Sequence, residues 1–386
     1  MDIKKIGGWT RMRPDIHVML KPAGGLCNMR CRYCFYADEM RSRSVAFSGM
    51  MTIQTLKNVL RPLLAECSRN CSIAFQGGEP TLAGLDFFRE AVKEIDALNV
   101  NSCRISYALQ TNGLLIDEQW CEFLAEHRFL VGVSLDGTRE LHDANRVDAS
   151  GNGTFSRVME AIRLLEKHRV DVNILTVLTG NVCRSYRKVH QFYKKQNFHY
   201  QQFIPCLDGL NEQRGSSPWS LTPKRYEEYL KTAFDCWYQQ AMSGNKEYHR
   251  YFDNLLLILD RQLPEACGMA GQCGVQYVVE SDGTVYPCDF YMTDGYRLGN
   301  LNTDTLEQID AARLAMGFIQ ESRIHDGECL HCKWWGLCHG GCRRDRDYFE
   351  QGLGKNYYCQ AQRAFFEYAY PKLISLYRYL KTGTVI

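Results

Sequence analysis

Between residues 17 and 206, short apolar or β-branched runs alternate with amphipathic stretches, and this alternation leaves the chain few folds to adopt. The predicted strands cover 17–21, 72–76, 105–111, 130–136, 172–179 and 200–206. The predicted helices between them cover 52–67, 85–97, 117–127, 155–168 and 184–196. Strands that are each separated by a helix cross over instead of forming hairpins, which gives a parallel sheet with right-handed connections. The expected class is α/β, a sheet curled into a partial (β/α)6 barrel, with its chemistry at the C-terminal ends of the strands.

The distinctive motifs fall at those ends. Strand one leads into Gly24-Gly25-Leu26-Cys27-Asn28-Met29-Arg30-Cys31-Arg32-Tyr33-Cys34, a glycine-led loop with CxxxCxxC spacing. Three thiolates can hold three irons of a cubane cluster and leave the fourth iron open to a ligand. The same spacing also fits an incomplete zinc site or three buried structural cysteines. Strand two runs into Gln76-Gly77-Gly78-Glu79-Pro80, strand three into Gln110-Thr111-Asn112-Gly113, and strand four into Ser134-Leu135-Asp136-Gly137. Paired glycines permit close backbone approach to a ligand, and Glu79 offers a carboxylate to an ammonium group. Each motif alone is also ordinary turn chemistry. Together on one rim they outline a pocket with the cysteine loop at its edge.

Composition narrows the functional class. A net charge of +2 over 386 residues argues against a nucleic-acid surface. Lys4, Lys5, Arg11, Arg13 and Asp15 interrupt the first stretch, so no signal peptide is expected, and the aliphatic run 255–259 is too short for a bilayer. A cytoplasmic protein without a membrane partner is the expectation. In that reducing compartment, 18 cysteines point to metal or catalysis rather than disulfides.

Residues 211–262 change character. Two helices are predicted, 224–242 and 248–263, with Trp237, Tyr238 and Phe252 as packing residues. The expected units are 1–210, a bridge at 211–262 and a cysteine-rich unit at 263–386. The last holds Cys267-x5-Cys273, Cys288, Cys329-x2-Cys332-x5-Cys338-x3-Cys342 and Cys359. Segments 276–280 and 284–286 flank Ser281-Asp282-Gly283 as a hairpin that returns Cys288 toward Cys267 and Cys273. Eight cysteines suffice for two four-ligand sites, and a zinc ribbon at Cys329, Cys332, Cys338 and Cys342 remains open on spacing alone. Cys67, Cys71, Cys103, Cys121, Cys183, Cys206 and Cys236 lack ligand spacing and read as small hydrophobes. The segment 361–382 reads as an aromatic-rich helix bent or interrupted at Pro371.

The loop Cys27, Cys31, Tyr33, Cys34 followed by Gly77-Gly78-Glu79-Pro80 resembles the radical S-adenosylmethionine (SAM) enzymes. The resemblance implies a [4Fe-4S] cluster on Cys27, Cys31 and Cys34 whose open iron chelates S-adenosyl-L-methionine. Reductive cleavage of that cofactor to a 5′-deoxyadenosyl radical would start hydrogen abstraction, and the reduction implies a low-potential donor such as flavodoxin or ferredoxin. By the same resemblance Tyr33 lies against the adenine, and Gly78, Ser134, Arg146 and Leu207 line the cofactor. The second cysteine field is similar to the SPASM extension of these enzymes, which implies two auxiliary [4Fe-4S] clusters in a crossed arrangement. Cys267, Cys273, Cys288 and Cys342 would hold the inner one, and Cys329, Cys332, Cys338 and Cys359 the outer one.

Within that superfamily, Phe75-Gln76-Gly77-Gly78-Glu79-Pro80-Thr81-Leu82-Ala83-Gly84, Val285-Tyr286-Pro287-Cys288-Asp289-Phe290-Tyr291 and Cys338-His339-Gly340-Gly341-Cys342-Arg343-Arg344 resemble the anaerobic sulfatase-maturating enzymes. Their reaction oxidises a cysteine or serine in a Cys/Ser-x-Pro/Ala-x-Arg segment of an unfolded or nascent sulfatase to Cα-formylglycine. The resemblance makes Asp289 the base for the target's proton, beside Cys288 on the cluster that accepts the electron. Tyr36 and Gln76 are expected to contact the peptide. Two alternatives stand beside this one: another SPASM-type peptide maturase forming thioether, carbon–carbon or epimerised products, and a non-enzymatic zinc-ribbon interaction protein.

Overall fold

The structure, a computed structural model, describes residues 12–210, 212–245, 247–348 and 352–382. The strands of the first half are β1 (Arg13–Leu20), β2 (Cys67–Phe75), β3 (Arg104–Thr111), β4 (Leu130–Ser134), β5 (Asp171–Leu178) and β6 (Tyr200–Pro205). They pair in sequence order, all parallel, as helix-separated strands require. Side chains alternate across the sheet, so Ile16, Val18 and Leu20 of β1 and Cys71, Ile73 and Phe75 of β2 are all buried. The helix Ile53–Glu66 buries Leu56, Val59, Leu60, Leu63 and Leu64, the i, i+3, i+4, i+7, i+8 stripe of a core-facing helix. Fully burying side chains of this size stabilises the fold by about 1.5–3 kcal/mol each.

Three elements depart from the sequence expectation. The helix expected at 184–196 is two, Gly180–Arg184 and Tyr186–Lys195, because Thr179 caps an extra turn through the N–H of Val182. The helix expected at 248–263 begins with a two-residue strand, β7 (Tyr248–His249), which joins the sheet beside β6, and its helical part is Arg250–Leu259. The C-terminal helix Cys359–Thr382 is not interrupted at Pro371. Proline costs that turn one hydrogen bond. The turns on either side are held by Tyr368 and Lys372, which reach the two oxygens of Asp235 at 2.6 and 2.8 Å. Phe365, Phe366, Leu373 and Leu376 are buried on the same helix.

The C-terminal half continues the barrel's sheet. Strand β8 (Tyr277–Val279) pairs parallel with β1, and β9 (Thr284–Tyr286) and β10 (Gly299–Asn300) follow antiparallel, giving the order β10-β9-β8-β1-β2-β3-β4-β5-β6-β7. The β8–β9 hairpin therefore sits beside the strand that leads into the CxxxCxxC loop. No helix among the described residues is long and apolar enough to cross a membrane.

Candidate active site

Two loops at the barrel's C-terminal rim lock together. Gly78 N–H donates to the Gly24 carbonyl and Glu79 N–H to that of Leu26, both at 2.8 Å. A Cβ on Gly78 would stand 2.1 Å from the Leu26 oxygen, and one on Gly77, whose φ is +134°, 2.6 Å from the Gly24 oxygen. Only glycines allow this approach. Glu79, expected to offer its carboxylate to an ammonium group, is also engaged within the fold. Fully buried, it accepts from Thr81 N–H, the Thr81 and Thr111 hydroxyls and Asn112 N–H at 2.6 to 3.1 Å. Glu79 is a brace between the loops after β2 and β3.

The three cysteines of the first loop stand half-buried against this brace. The Cys27 sulfur accepts from Met29 N–H at 3.4 Å and from the Asn112 amide at 3.6 Å. Burial pushes Cys27 up to about 11 and Cys31 up to about 12, and the two lie within electrostatic reach of each other and of Cys34. Thiols so placed become thiolates when a metal centre supplies the positive charge. The donor set therefore fits a cluster.

Of the residues expected to line the cofactor, Tyr33 and Arg146 are brought together. Tyr33 donates its hydroxyl to the fully buried Asp136. Arg146 Nε lies 3.0 Å from the same carboxylate, with the guanidinium 5.4 Å from the Tyr33 ring centre. Val177 N–H donates to the other Asp136 oxygen at 3.0 Å. Ser134 ends β4 and Leu207 follows β6, both half-buried on the same rim. Asp136, which holds Tyr33 and Arg146, carried a motif in the sequence but no role.

In the second cysteine field, Cys288 lies within electrostatic reach of Cys342 and Cys267, and Cys342 of Cys267 and Cys273. A Cβ on Gly268 would stand 3.1 Å from Cys342 Cβ, so the backbone beside Cys267 packs directly on Cys342. Cys329, Cys332, Cys338 and Cys359 instead line a separate pocket with Trp334 and Phe366. Cys338 and Cys342 are thus separated although only three residues lie between them. His339, Gly340 and Gly341 have φ of +48°, +80° and +74°, a left-handed run that turns the chain from one set to the other. The two glycines of that run leave no room for side chains, since a Cβ on Gly341 would meet the Asn356 amide at 2.3 Å and one on Gly340 the His325 ring at 2.6 Å. Among the described residues no three His, Cys, Asp or Glu side chains are arranged to hold a single metal ion. Four cysteines around one pocket, Cys329, Cys332, Cys338 and Cys359, suit a cluster held by four thiolates.

Asp289 begins a short 3-10 turn immediately after Cys288 and reaches back into the barrel mouth. One oxygen, Oδ2, accepts from the Tyr36 hydroxyl at 2.7 Å and from the Gln76 amide at 3.1 Å, and that amide also reaches the Tyr36 oxygen at 2.6 Å. The other, Oδ1, lies 2.7 Å from Lys21 Nζ, an ammonium that is 1% exposed. Tyr36 is pushed well above its usual range, by burial first and then by Asp289, so it stays a phenol and donates. Behind Lys21 lies Glu39, on the helix Phe35–Arg41 that the sequence reading missed. Burial pushes Glu39 up to about 8 against the pull of Lys21, and Asp289 adds to the rise. Lys21 is the other residue the sequence reading left without a role. Its signal was a lysine closing an apolar strand run at the rim where the other motifs collect.

Residues 22–192 match the radical SAM superfamily and residues 267–333 match the SPASM iron-sulfur cluster-binding domain. The barrel, the three-cysteine loop and the second cysteine field together define a radical SAM enzyme with [4Fe-4S] clusters and a SPASM extension. Over 370 residues the chain is 45% identical to a cysteine-type anaerobic sulfatase-maturating enzyme of Clostridium perfringens, covering 95% of this chain and 100% of that one. It is 28% identical over 376 residues to a serine-type anaerobic sulfatase-maturating enzyme of Bacteroides thetaiotaomicron, covering 92% and 90%. A solved structure described as native anSMEcpe with bound AdoMet and Cp18Cys peptide superposes with a TM-score of 0.91 at 44% identity, covering 95% of this chain and 100% of that one. The chain belongs to the family of anaerobic sulfatase-maturating enzymes.

Proposed function

We propose that this chain oxidises a cysteine of a sulfatase polypeptide to Cα-formylglycine, with Asp289 as the base. The observation that carries this reading is the placement of Asp289, which the cysteine-rich half delivers into the barrel mouth beside Tyr36 and Gln76. A cysteine target is favoured because the cysteine-type relative is 45% identical and the serine-type one 28%. The proposed cluster ligands are Cys27, Cys31 and Cys34 for the SAM-binding centre. The auxiliary pair would use Cys267, Cys273, Cys288 and Cys342 for one and Cys329, Cys332, Cys338 and Cys359 for the other. Tyr33, Gly78, Ser134, Arg146 and Leu207 would border S-adenosylmethionine.

When bound, the clusters and S-adenosylmethionine supply a carbon-centred radical that removes a hydrogen atom from the target Cβ and an acceptor for the electron left behind. The residues of this chain handle the proton. As the electron departs, Asp289 takes the proton of the target thiol, so that a carbon–sulfur double bond forms, and water then exchanges sulfur for oxygen. Tyr36 and Gln76, which occupy Asp289 Oδ2, would turn to the peptide and release that oxygen to the thiol. Arg146, paired with Asp136, would border the cofactor side. The finer partner assignments follow the same chemistry: an unfolded or nascent sulfatase, a low-potential electron donor such as flavodoxin or ferredoxin, and a cytoplasmic setting.

The test is anaerobic incubation of the iron-loaded protein with S-adenosylmethionine, a reductant and cysteine- or serine-type sulfatase peptides, read by mass spectrometry. The thiol-to-aldehyde mass change in the cysteine peptide, with iron near about twelve per chain at about four per cluster, is the expected result. Deoxyadenosine without aldehyde would point instead to another SPASM-type maturase.

A further inference from the structure

Asp289 sits on a three-residue turn, and nothing in its own backbone fixes where its carboxylate points. Lys21 is the opposite case. It closes β1, its N–H donates to the Val279 carbonyl at 2.9 Å, and its carbonyl accepts from Gly24 N–H at 3.0 Å. Gly77 presses on its stem, where an added Cβ would touch Lys21 Cβ and Cγ at 3.3 Å. Its ammonium stands 4.0 Å from the centre of the Tyr36 ring and 2.7 Å from Asp289 Oδ1. A cation this deeply buried is tolerated only when paired, and it strengthens as a tether because little water screens it. Among the described residues no other side chain or backbone group bonds Oδ1, so the Lys21 ion pair is what secures that oxygen there.

The two sides of Asp289 therefore differ in kind. Oδ2 is held by two neutral groups, Tyr36 and Gln76, the side chains proposed to meet the peptide. Oδ1 is held by a charge rooted at the end of the sheet, which also packs on the face of the Tyr36 ring. We propose that Lys21 is the positioning residue for Asp289. It keeps Oδ1 tethered and Oδ2 aimed into the barrel once a bound peptide draws Tyr36 and Gln76 away. This inference rests on Asp289 being the base. A site on rigid elements holds a reactive group more precisely than a loop can, and the β1 end lends that rigidity to a loop-borne carboxylate.

The experiment compares wild type, Lys21→Met, Lys21→Arg and Asp289→Asn as reconstituted holoenzymes with a cysteine-type sulfatase peptide. Iron content, deoxyadenosine, formylglycine and the peptide's KM are measured for each. Lys21→Met is expected to lower formylglycine kcat about 10- to 100-fold, the loss expected from a misplaced reacting group. Iron content, deoxyadenosine formation and KM should stay within about two-fold of wild type, and Lys21→Arg should restore part of the rate. Wild-type kcat in Lys21→Met overturns the proposal, and so does a parallel loss of iron and deoxyadenosine, which marks a merely structural role. Formylglycine at the wild-type rate in Asp289→Asn would instead remove the base assignment itself, whatever Lys21→Met does.

Discussion

Tyr36 and Asp289 are 253 residues apart in the chain and 2.7 Å apart in the fold. One follows the three-cysteine loop, and the other follows a cysteine of the inner auxiliary set. Their bond ties the half that would begin the oxidation to the half that would finish it. Tyr36→Phe removes one hydrogen bond to a charged carboxylate, worth about 1.5–3 kcal/mol, and leaves Lys21 and Gln76 in place. Formylglycine formation should fall about 10- to 100-fold while deoxyadenosine formation continues, as seen by quantifying both products in one reaction.

Gly78 carries a steric prediction. Its substitution by alanine would place a Cβ 2.1 Å from the Leu26 carbonyl oxygen, and that backbone cannot give way without moving the cysteine loop. Gly78→Ala should hold about eight irons per chain instead of about twelve and make no deoxyadenosine. Iron and acid-labile sulfide assays check this.

The left-handed run His339-Gly340-Gly341 predicts how the second cysteine field divides. Cys342→Ala and Cys359→Ala should each lose one cluster, and the double variant two, leaving about four irons per chain. If both cysteines served one site, the double variant would keep about eight.

A pH effect on stability follows from His190, 3.2 Å from Glu247. Burial lowers this imidazole, but hydrogen bonds to Cys236 and Glu247 outweigh it and push His190 up to about 9 from 6.5. A raised value means that the pair stabilises the fold fully below pH 6.5 and loses that contribution as pH rises through about 9. The melting midpoint of the wild type should therefore drop more between those two values than that of Glu247→Gln. Equal drops would show that the pair contributes nothing.

Much of this was legible in the sequence because barrel strands and cluster cysteines obey strong local rules. The strand expected at 105–111 is observed at Arg104–Thr111, and the helix expected at 155–168 at Phe155–Lys167, since periodicity and flanking turns mark both ends. The cysteine positions were readable from spacing, but spacing alone could not part Cys338 from Cys342. The glycines between them held that information. Long-range contacts were not legible. Nothing near Arg13–Leu20 announces that Tyr277–Val279 will pair beside it, so the shared sheet and the Lys21–Asp289 pair it creates were missed. The bracing bonds of Glu79 were not legible because its partners Thr81, Thr111 and Asn112 come from two loops that only the fold brings together. The helix continues through Pro371 because the local cost is met by packing and by Asp235, more than a hundred residues earlier, which left open an interruption that does not occur.

The central claim is that Asp289 removes the target's proton after hydrogen abstraction has begun. Asp289→Asn keeps the shape and removes the basicity. Incubated anaerobically with S-adenosylmethionine, reductant and a cysteine-type sulfatase peptide, this variant should form deoxyadenosine and no formylglycine by mass spectrometry. Formylglycine at the wild-type rate would contradict the account.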